Sequence, residues 1–372
     1  MSTSTVVVDN IYGVNHARNT STSLLELVPE DNLHYLANFS FADNNDRYLD
    51  LTRNLAGSVD VINWSFGQGV FSSTDYIFDN AVRDAFLEGT AVTTAAGNFS
   101  SDRMKDTQRS PYDFTVGSIE TFEWNAEGLT VGDRATKTAK WEFAWFNDNN
   151  PTFVDFYTYG DGGTSFAAPR VAAYIAQIRD QDRDASLSSI RTILEKNSDY
   201  KLIQNDTDSW YVQVLDPYNL ENNTARDGEY GYIYKLFSEQ VPESEYEFDF
   251  DFSNAIDTRV RTEALYEVYL NRNPDEEGLA YWMNQVDEFG ASYSDLANFF
   301  EYVADNDLDI KPSGKYDHNV PLIEKVQGLY HLHLGRETKD SEVVEAIDYM
   351  HNANLSWNEY VDQWMANANV II

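Results

Sequence analysis

The chain has 372 residues, no cysteine, and a formal net charge of −36 at pH 7 from 62 acidic and 26 basic residues. Its length allows two domains with a substantial core, and the absence of cysteine excludes disulfides, thiol catalysis and thiolate–zinc sites. So acidic a surface repels DNA, RNA and anionic membranes, which excludes nucleic-acid binding. No stretch approaches the roughly 18–20 apolar residues of a membrane span, so we expect none.

Segments with strand-like and helix-like patterns alternate through the first half of the chain. Predicted strands lie at 5–9, 32–38, 59–65, 90–96 and 113–118, and predicted helices at 16–27, 43–55, 74–88, 165–179 and 186–196. Such alternation is typical of an α/β domain with a mostly parallel sheet flanked by helices. We predict this domain over residues 1–198, with an antiparallel excursion at 121–158.

The fourth predicted helix opens with a serine in a distinctive string, GTSFAAP at residues 163–169. Ser165 stands at the helix N-terminus, where backbone N–H groups without helical partners and the helix dipole favour an oxyanion. The string resembles the nucleophile motif of subtilisin-like serine peptidases (subtilases), in which it opens the central helix. The resemblance implies that Ser165 is the nucleophile of a peptidase.

Two other segments resemble the same family in order and spacing. Residues 59–67 (VDVINWSFG) resemble the strand that lines the substrate cleft, and residues 90–98 (TAVTTAAGN) resemble the strand before the oxyanion asparagine. The implied oxyanion donor is Asn98, which lies 33 residues after Ser65 and 67 before Ser165. The resemblance implies substrate contacts at the end of the first of these strands, by Trp64, Ser65, Phe66 and Gly67.

The remaining triad members depart from the family pattern. Asp9 ends the first predicted strand, as the family aspartate does, and His16 opens a helix that resembles the family's His-Gly-Thr helix. Here the two motifs read Asp-Asn-Ile and His-Ala-Arg, and His16 lies only seven residues after Asp9 in the chain. Either these residues form a compact triad across a shortened loop, or this region is eroded and catalysis is lost. His34, in a predicted strand, is assigned a structural role.

Residues 199–255 are predicted to form an acidic, aromatic-rich connector. Within it, carboxylates alternate with aromatic residues at 243–251 (ESEYEFDFD). This alternation indicates an edge strand or an extended segment. The carboxylates would all face one way without a loop spacing suited to calcium, so a solvated face is favoured over a structural calcium site. No metal site and no required cofactor are predicted.

The last part of the chain, residues 256–372, has a helical pattern that repeats at an offset of 64 residues. Leu265-Tyr266-x3-Leu270-Asn271-Arg272 recurs as Leu329-Tyr330-x3-Leu334-Gly335-Arg336, and Phe300 matches Trp364. We predict two helical repeats, at about 256–310 and 320–372, each too small to bury its apolar face alone. Residues 265–282 resemble a helical domain of unknown function that is common in large secreted bacterial proteins, which implies attachment, assembly or export.

These features predict a serine endopeptidase that acts on polypeptides, with a catalytically inactive surface, adhesion or assembly protein as the alternative. The initial segment MSTSTV lacks the pattern of a classical signal peptide. We therefore expect an extracellular or cell-surface location reached by non-classical export, with a surface or export partner for residues 256–372. We also expect the helical part to have its own core. Trp364→Ala or truncation near residue 256 would then spare peptidase activity, and the chain would unfold in two transitions.

Overall fold

The structure is a computed structural model of the chain. It describes residues 5–10, 33–39, 46–65, 75–96, 110–122, 140–143, 154–159, 164–204, 209–215, 256–306, 308 and 320–367. The structural statements that follow concern these residues.

A mostly parallel sheet organises the first half of the chain. Its described strands are β1 Thr5–Asn10, β2 Leu33–Phe39, β3 Val61–Trp64, β4 Ala91–Ala95, β5 Phe114–Phe122, β6 Lys140–Phe143, β7 Phe156–Tyr159, β8 Ser198–Gln204 and β9 Ser209–Leu215. Their order across the sheet is β2-β1-β3-β4-β5-β7-β9-β8. Strand β6 pairs antiparallel with β5, and β8 pairs antiparallel with β9. Except for Ser198, the last two strands lie inside the segment predicted as a connector.

Four of the described helices accompany the sheet, and together with it they confirm the predicted α/β class. They are α1 Asp46–Leu55, α2 Asp75–Leu87, α3 Thr164–Gln181 and α4 Leu187–Lys196. Helix α3 is buried along almost its whole length, from Thr164 to Arg179. Alanines make up much of its surface, so its backbone can pack closely against β3, β4 and β5. Because α3 follows β7 in the chain, its N-terminus lies towards the carboxyl edge of the sheet.

In the described part of the C-terminal region there are six helices, one of them extended by a π-helical turn. They are α5 Thr258–Leu265 with the turn Tyr266–Leu270, α6 Glu276–Asp287, α7 Tyr293–Asp305, α8 Leu322–Leu334, α9 Asp340–Ala353 and α10 Trp357–Asn367. Helices α8, α9 and α10 begin 64 residues after α5, α6 and α7. Asn271 and Gly335, one offset apart, both have left-handed backbones with φ of 53° and 58°.

The side-chain contacts within the two sets of helices also correspond. The guanidinium of Arg272 lies 4.8 Å from the ring centre of Tyr266, and that of Arg336 lies 4.8 Å from the ring centre of Tyr330. The rings of Tyr266 and Phe300 are 5.0 Å apart, and those of Tyr330 and Trp364 are 5.5 Å apart. Phe300 is buried, whereas Trp364 is only partly buried.

The second set of helices shares a hydrophobic core with the α/β domain. Ile323, Val326 and Leu329 on α8 are at most 1% exposed and belong to the same buried cluster as the side chains of α3 and β4. This differs from the expectation of separate cores, because the sequence repeat does not reveal that the second set packs against α2 and α4. The first set supplies most of an additional cluster around Tyr266 and Phe300, which also includes Leu332 of α8.

Polar contacts join the same surfaces. Arg191 on α4 is fully buried, pairs with Asp155 at 3.1 Å and Glu324 at 3.5 Å, and donates to the Asp113 carbonyl at 2.8 Å. Asp340, at the start of α9, accepts hydrogen bonds from the backbone N–H groups of Leu187 and Ser188 at 3.0 and 2.8 Å. A carboxylate from the helical region therefore caps a helix of the α/β domain.

Four buried glutamates lie where α4 meets α5, the π-helical turn and α8. They are Glu195, Glu263, Glu267 and Glu324. Burial raises the pKa of Glu195 to about 8, with the charge of Arg191 acting in the opposite direction. Burial, together with repulsion from Glu195, raises the pKa values of Glu267 and Glu324 well above the ordinary range. Arg259 Nε lies 2.6 Å from Glu263, whose pKa is also raised, mainly by burial.

The free energy of unfolding is expected to fall as the pH rises from about 5 to about 8. A carboxyl with a raised pKa binds its proton more tightly in the folded chain than in the unfolded chain, where the pKa is about 4.3. The stability that Glu195 contributes is therefore complete below that value and is lost as the pH rises through about 8. Glu195→Gln should make the pH dependence shallower, by up to about 1.4 kcal/mol per pH unit.

Urea unfolding across this pH range measures the effect. Glu301→Gln, on the exposed surface of α7, removes the same charge without burial and is the matched control. If the free energy of unfolding fell equally steeply with pH in the Glu195→Gln variant and in the wild-type chain, the raised pKa of Glu195 would be contradicted.

Candidate active site

The carboxyl ends of three neighbouring parallel strands define the candidate site. Val8 on β1 pairs with Trp64 on β3, which in turn pairs with Thr94 on β4. The backbone of Asp9 therefore lies one residue beyond this row on β1. Ser65 likewise lies one residue beyond it, directly after β3. Both predicted residues thus lie along the same edge of the sheet, where parallel α/β folds place their binding sites.

Ser165 reaches this edge from α3. It is the second residue of the helix and is only 4% exposed. The hydroxyl of Ser65 donates a hydrogen bond to the backbone carbonyl of Ser165 at 2.9 Å. The candidate nucleophile is thereby joined directly to the end of β3, and the N-terminal dipole of α3 favours negative charge beside it.

A chain of buried hydrogen bonds continues from this contact into the sheet. Asn63 Nδ2 donates to Ser65 Oγ at 2.7 Å, and Thr93 Oγ1 donates to Asn63 Oδ1 at 3.0 Å. All four residues are buried. Sequence reasoning does not identify Asn63 and Thr93, and their only signal is the presence of polar residues inside two buried strands.

The other predicted site residues differ in how far the structure describes them. The Trp64 side chain is 1% exposed and lies in the hydrophobic core, so any contact it makes with a substrate must come from its backbone. Four predicted residues lie outside the described residues, namely His16, Phe66, Gly67 and Asn98. Strand β4, which leads to Asn98, ends at Ala95. The catalytic, oxyanion and substrate-binding roles therefore stay predictions.

Metal-binding clusters and membrane spans are both missing from the described part of the chain. No group of three or more His, Asp or Glu side chains there is arranged to hold a metal ion. The carboxylates at 243–251 lie outside this part, so the expectation of a solvated face at those residues stays a prediction. Of the described helices, none is both long enough and apolar enough to cross a membrane.

Several solved structures are similar to this chain, at low sequence identity. A cold-adapted subtilisin-like serine proteinase has 20% identity and a TM-score of 0.38, with 51% of this chain and 68% of that chain covered. A lanthipeptide protease has 14% identity and a TM-score of 0.38, covering 52% and 81%. The S41 psychrophilic protease has 16% identity and a TM-score of 0.39, covering 57% and 90%. No curated protein sequence matches the chain.

The model of the Subtilase family matches residues 37–232, which is more than half of the 372-residue chain. The matched range includes Ser65, Asn98 and Ser165, and begins downstream of Asp9 and His16. It also extends past residue 198 and so includes β8 and β9. This match confirms the family resemblance that the GTSFAAP string and residues 59–67 and 90–98 indicated. The chain belongs to the subtilase family.

Proposed function

We propose that the chain is a serine endopeptidase that hydrolyses peptide bonds of a polypeptide substrate through an acyl-enzyme. The observation that carries this proposal is the place of Ser165, at the N-terminus of α3 and bonded through its carbonyl to the end of β3. A serine so placed has the helix dipole and its own backbone N–H available for an oxyanion. Membership of a serine peptidase family supports the same reaction.

In the proposed mechanism, Ser165 Oγ attacks the carbonyl carbon of the scissile bond while His16 takes the hydroxyl proton. Asp9 orients His16 and stabilises its charged form. The side-chain amide of Asn98 and the backbone N–H of Ser165 hold the oxyanion. When the tetrahedral intermediate collapses, His16 gives the proton to the leaving amine, and water then hydrolyses the ester. The position of Asp9 along the edge that holds Ser65 supports its part in this scheme.

A catalytically inactive scaffold is the second candidate function. The family match begins at residue 37, after both Asp9 and His16, whose surrounding motifs depart from the family pattern. Without a base beside Ser165, the oxyanion donors alone would activate the serine little.

Fluorophosphonate labelling separates the two candidates, because only an activated serine reacts efficiently with the probe. A peptidase should be labelled, and His16→Ala should slow labelling by at least about 10³-fold. His34→Ala is the matched control, since His34 lies on β2 and has no proposed part in catalysis. Labelling of the native chain no faster than that of the urea-unfolded chain would favour the scaffold.

We also propose that the helices of residues 258–305 and 322–367 are two copies of one unit. The equal spacing of their helices, their left-handed turns and their arginine–tyrosine contacts support this duplication. Outside the cell, which is where we place the protein, α6 and α7 of the first copy are the part available to a surface or export partner, since α5 and the second copy pack against the α/β domain.

A further inference from the structure

A proline interrupts the hydrogen bonding of α3 directly after the candidate nucleophile. In an α-helix, the carbonyl of residue i accepts a hydrogen bond from the N–H of residue i+4. For Ser165 that residue is Pro169, which has no N–H and whose ring also crowds the carbonyl four residues before it. Both residues are buried, with Ser165 4% exposed. The Ser165 carbonyl is therefore deprived of its regular helical donor in a place where an unsatisfied acceptor is costly.

The hydroxyl of Ser65 supplies a donor at this carbonyl, at 2.9 Å. The Ser65 hydroxyl is the donor in this bond, because a carbonyl oxygen only accepts, and the neighbouring hydrogen bonds agree with that direction. Asn63 Nδ2 can only donate, so Ser65 Oγ accepts a hydrogen bond from it. The Ser65 hydroxyl proton is then available to the Ser165 carbonyl. Thr93 donates to Asn63 Oδ1 and thereby holds the amide in the orientation that this arrangement needs.

We propose that Ser65 is a positioning residue of the active site: its hydroxyl replaces the hydrogen bond that Pro169 withholds from the Ser165 carbonyl. Asn63 and Thr93 hold that hydroxyl in place. The inference rests on the proposed function, because it concerns how the nucleophile is oriented. Fixing the carbonyl fixes the peptide plane that follows the Ser165 α-carbon, and so limits how Oγ and the N–H of the same residue can move. A small misplacement of reacting groups can lower a rate by about 10²-fold.

A double-mutant cycle tests the replacement. Its members are the wild-type chain, Ser65→Ala, Pro169→Ala and the double variant, each measured for melting temperature and for fluorophosphonate labelling. Ser65→Ala should lower the melting temperature by about 2–4 °C and the maximal labelling rate by about 10–100-fold, with little change in probe affinity. In the Pro169→Ala variant, the alanine N–H becomes available to the Ser165 carbonyl. In the Pro169→Ala background, Ser65→Ala should then lower the melting temperature and the logarithm of the labelling rate by less than half as much as it does in the wild-type chain.

Thr90→Val is the matched control for a loss that is merely structural. The Thr90 hydroxyl also donates to a backbone carbonyl, that of Val59 at 2.7 Å, but at the amino edge of the sheet. This variant should lower the melting temperature without slowing labelling.

Two results would overturn the proposal. One is additivity of Ser65→Ala and Pro169→Ala in the melting temperature. The other is a labelling rate for Ser65→Ala no lower than that for Thr90→Val. A wild-type chain that is not labelled at all would instead refute the proposed peptidase function and the positioning role with it. The melting temperatures would still decide whether Ser65 replaces the missing helical bond.

Discussion

Replacing Ser165 with alanine is expected to abolish fluorophosphonate labelling and peptide-bond hydrolysis. The change removes the oxygen that forms the acyl-enzyme in the proposed mechanism, so the rate should fall by at least about 10⁴-fold. The fold should persist, because the Ser165 group bonded by Ser65 is the backbone carbonyl, which alanine retains. Mass spectrometry of the probe-treated chain, together with thermal unfolding of the variant, measures both parts of this expectation.

Ser294→Ala is the matched control for this experiment. Ser294 is also the second residue of a helix, α7, but it is exposed on the C-terminal region. Ser294 therefore has the same position relative to a helix dipole as Ser165, but it does not lie beside the end of any described strand. Labelling should be unchanged in this variant. Probe attached to the Ser165→Ala chain at an undiminished rate would remove Ser165 from the mechanism.

Leu329→Ala is expected to destabilise the α/β domain as well as the helices that surround Leu329. Leu329 lies on α8, is fully buried, and belongs to the core that α3 and β4 also form. Truncating such a side chain costs about 2–5 kcal/mol. Because one core joins the two regions, the chain should unfold in a single transition, and the whole transition should shift in the variant.

Hydrogen exchange in increasing urea, read by mass spectrometry, measures the two regions separately. Peptides from β3 and β4 and peptides from α8 and α9 should lose protection at the same urea concentration, and Leu329→Ala should lower both midpoints equally. Leu308→Ala is the control, since Leu308 is 51% exposed and its loss should cost no more than about 0.5 kcal/mol. An unchanged midpoint for the β3 and β4 peptides would show that the two regions unfold independently.

The shared core also changes the expectation for a chain cut near residue 256. Such a chain would lose α8, whose apolar side chains complete the core, and Glu324, which pairs with the buried Arg191. It would also lose Asp340 at the N-terminus of α4. A truncated chain is therefore expected to fold poorly and to lose small-substrate cleavage, in contrast to what the sequence repeat alone predicted.

Local patterns in the sequence were sufficient for β1 to β5 and for α1 to α4, but they did not predict β8 and β9. The predicted strands at 5–9, 59–65 and 90–96 agree with β1, β3 and β4 to within two residues at either end. Short runs of β-branched and small apolar residues produce buried parallel strands almost regardless of their neighbours. The GTSFAAP string identified α3 and the candidate nucleophile for a similar reason, since its chemistry lies within seven consecutive residues.

Contacts between distant parts of the chain were decided by the tertiary structure. Asn63, Thr93 and Ser65 are ordinary strand residues in sequence, and only the pairing of β3 with β4 and the packing of α3 bring them to the Ser165 carbonyl. Likewise, the sequence pattern places Arg191 and Glu195 on the polar face of an amphipathic helix. They are buried because α5 and α8, more than 60 residues away in sequence, cover that face.

By itself, the sequence determined the fold class, the family and the candidate nucleophile, because each of these is recorded in short segments whose periodicity or composition has a direct physical meaning. The tertiary structure decided which side chains support the nucleophile and that the helical region completes the core of the α/β domain. These features depend on the burial of polar groups by residues far away in the chain, and local patterns carry no information about such burial.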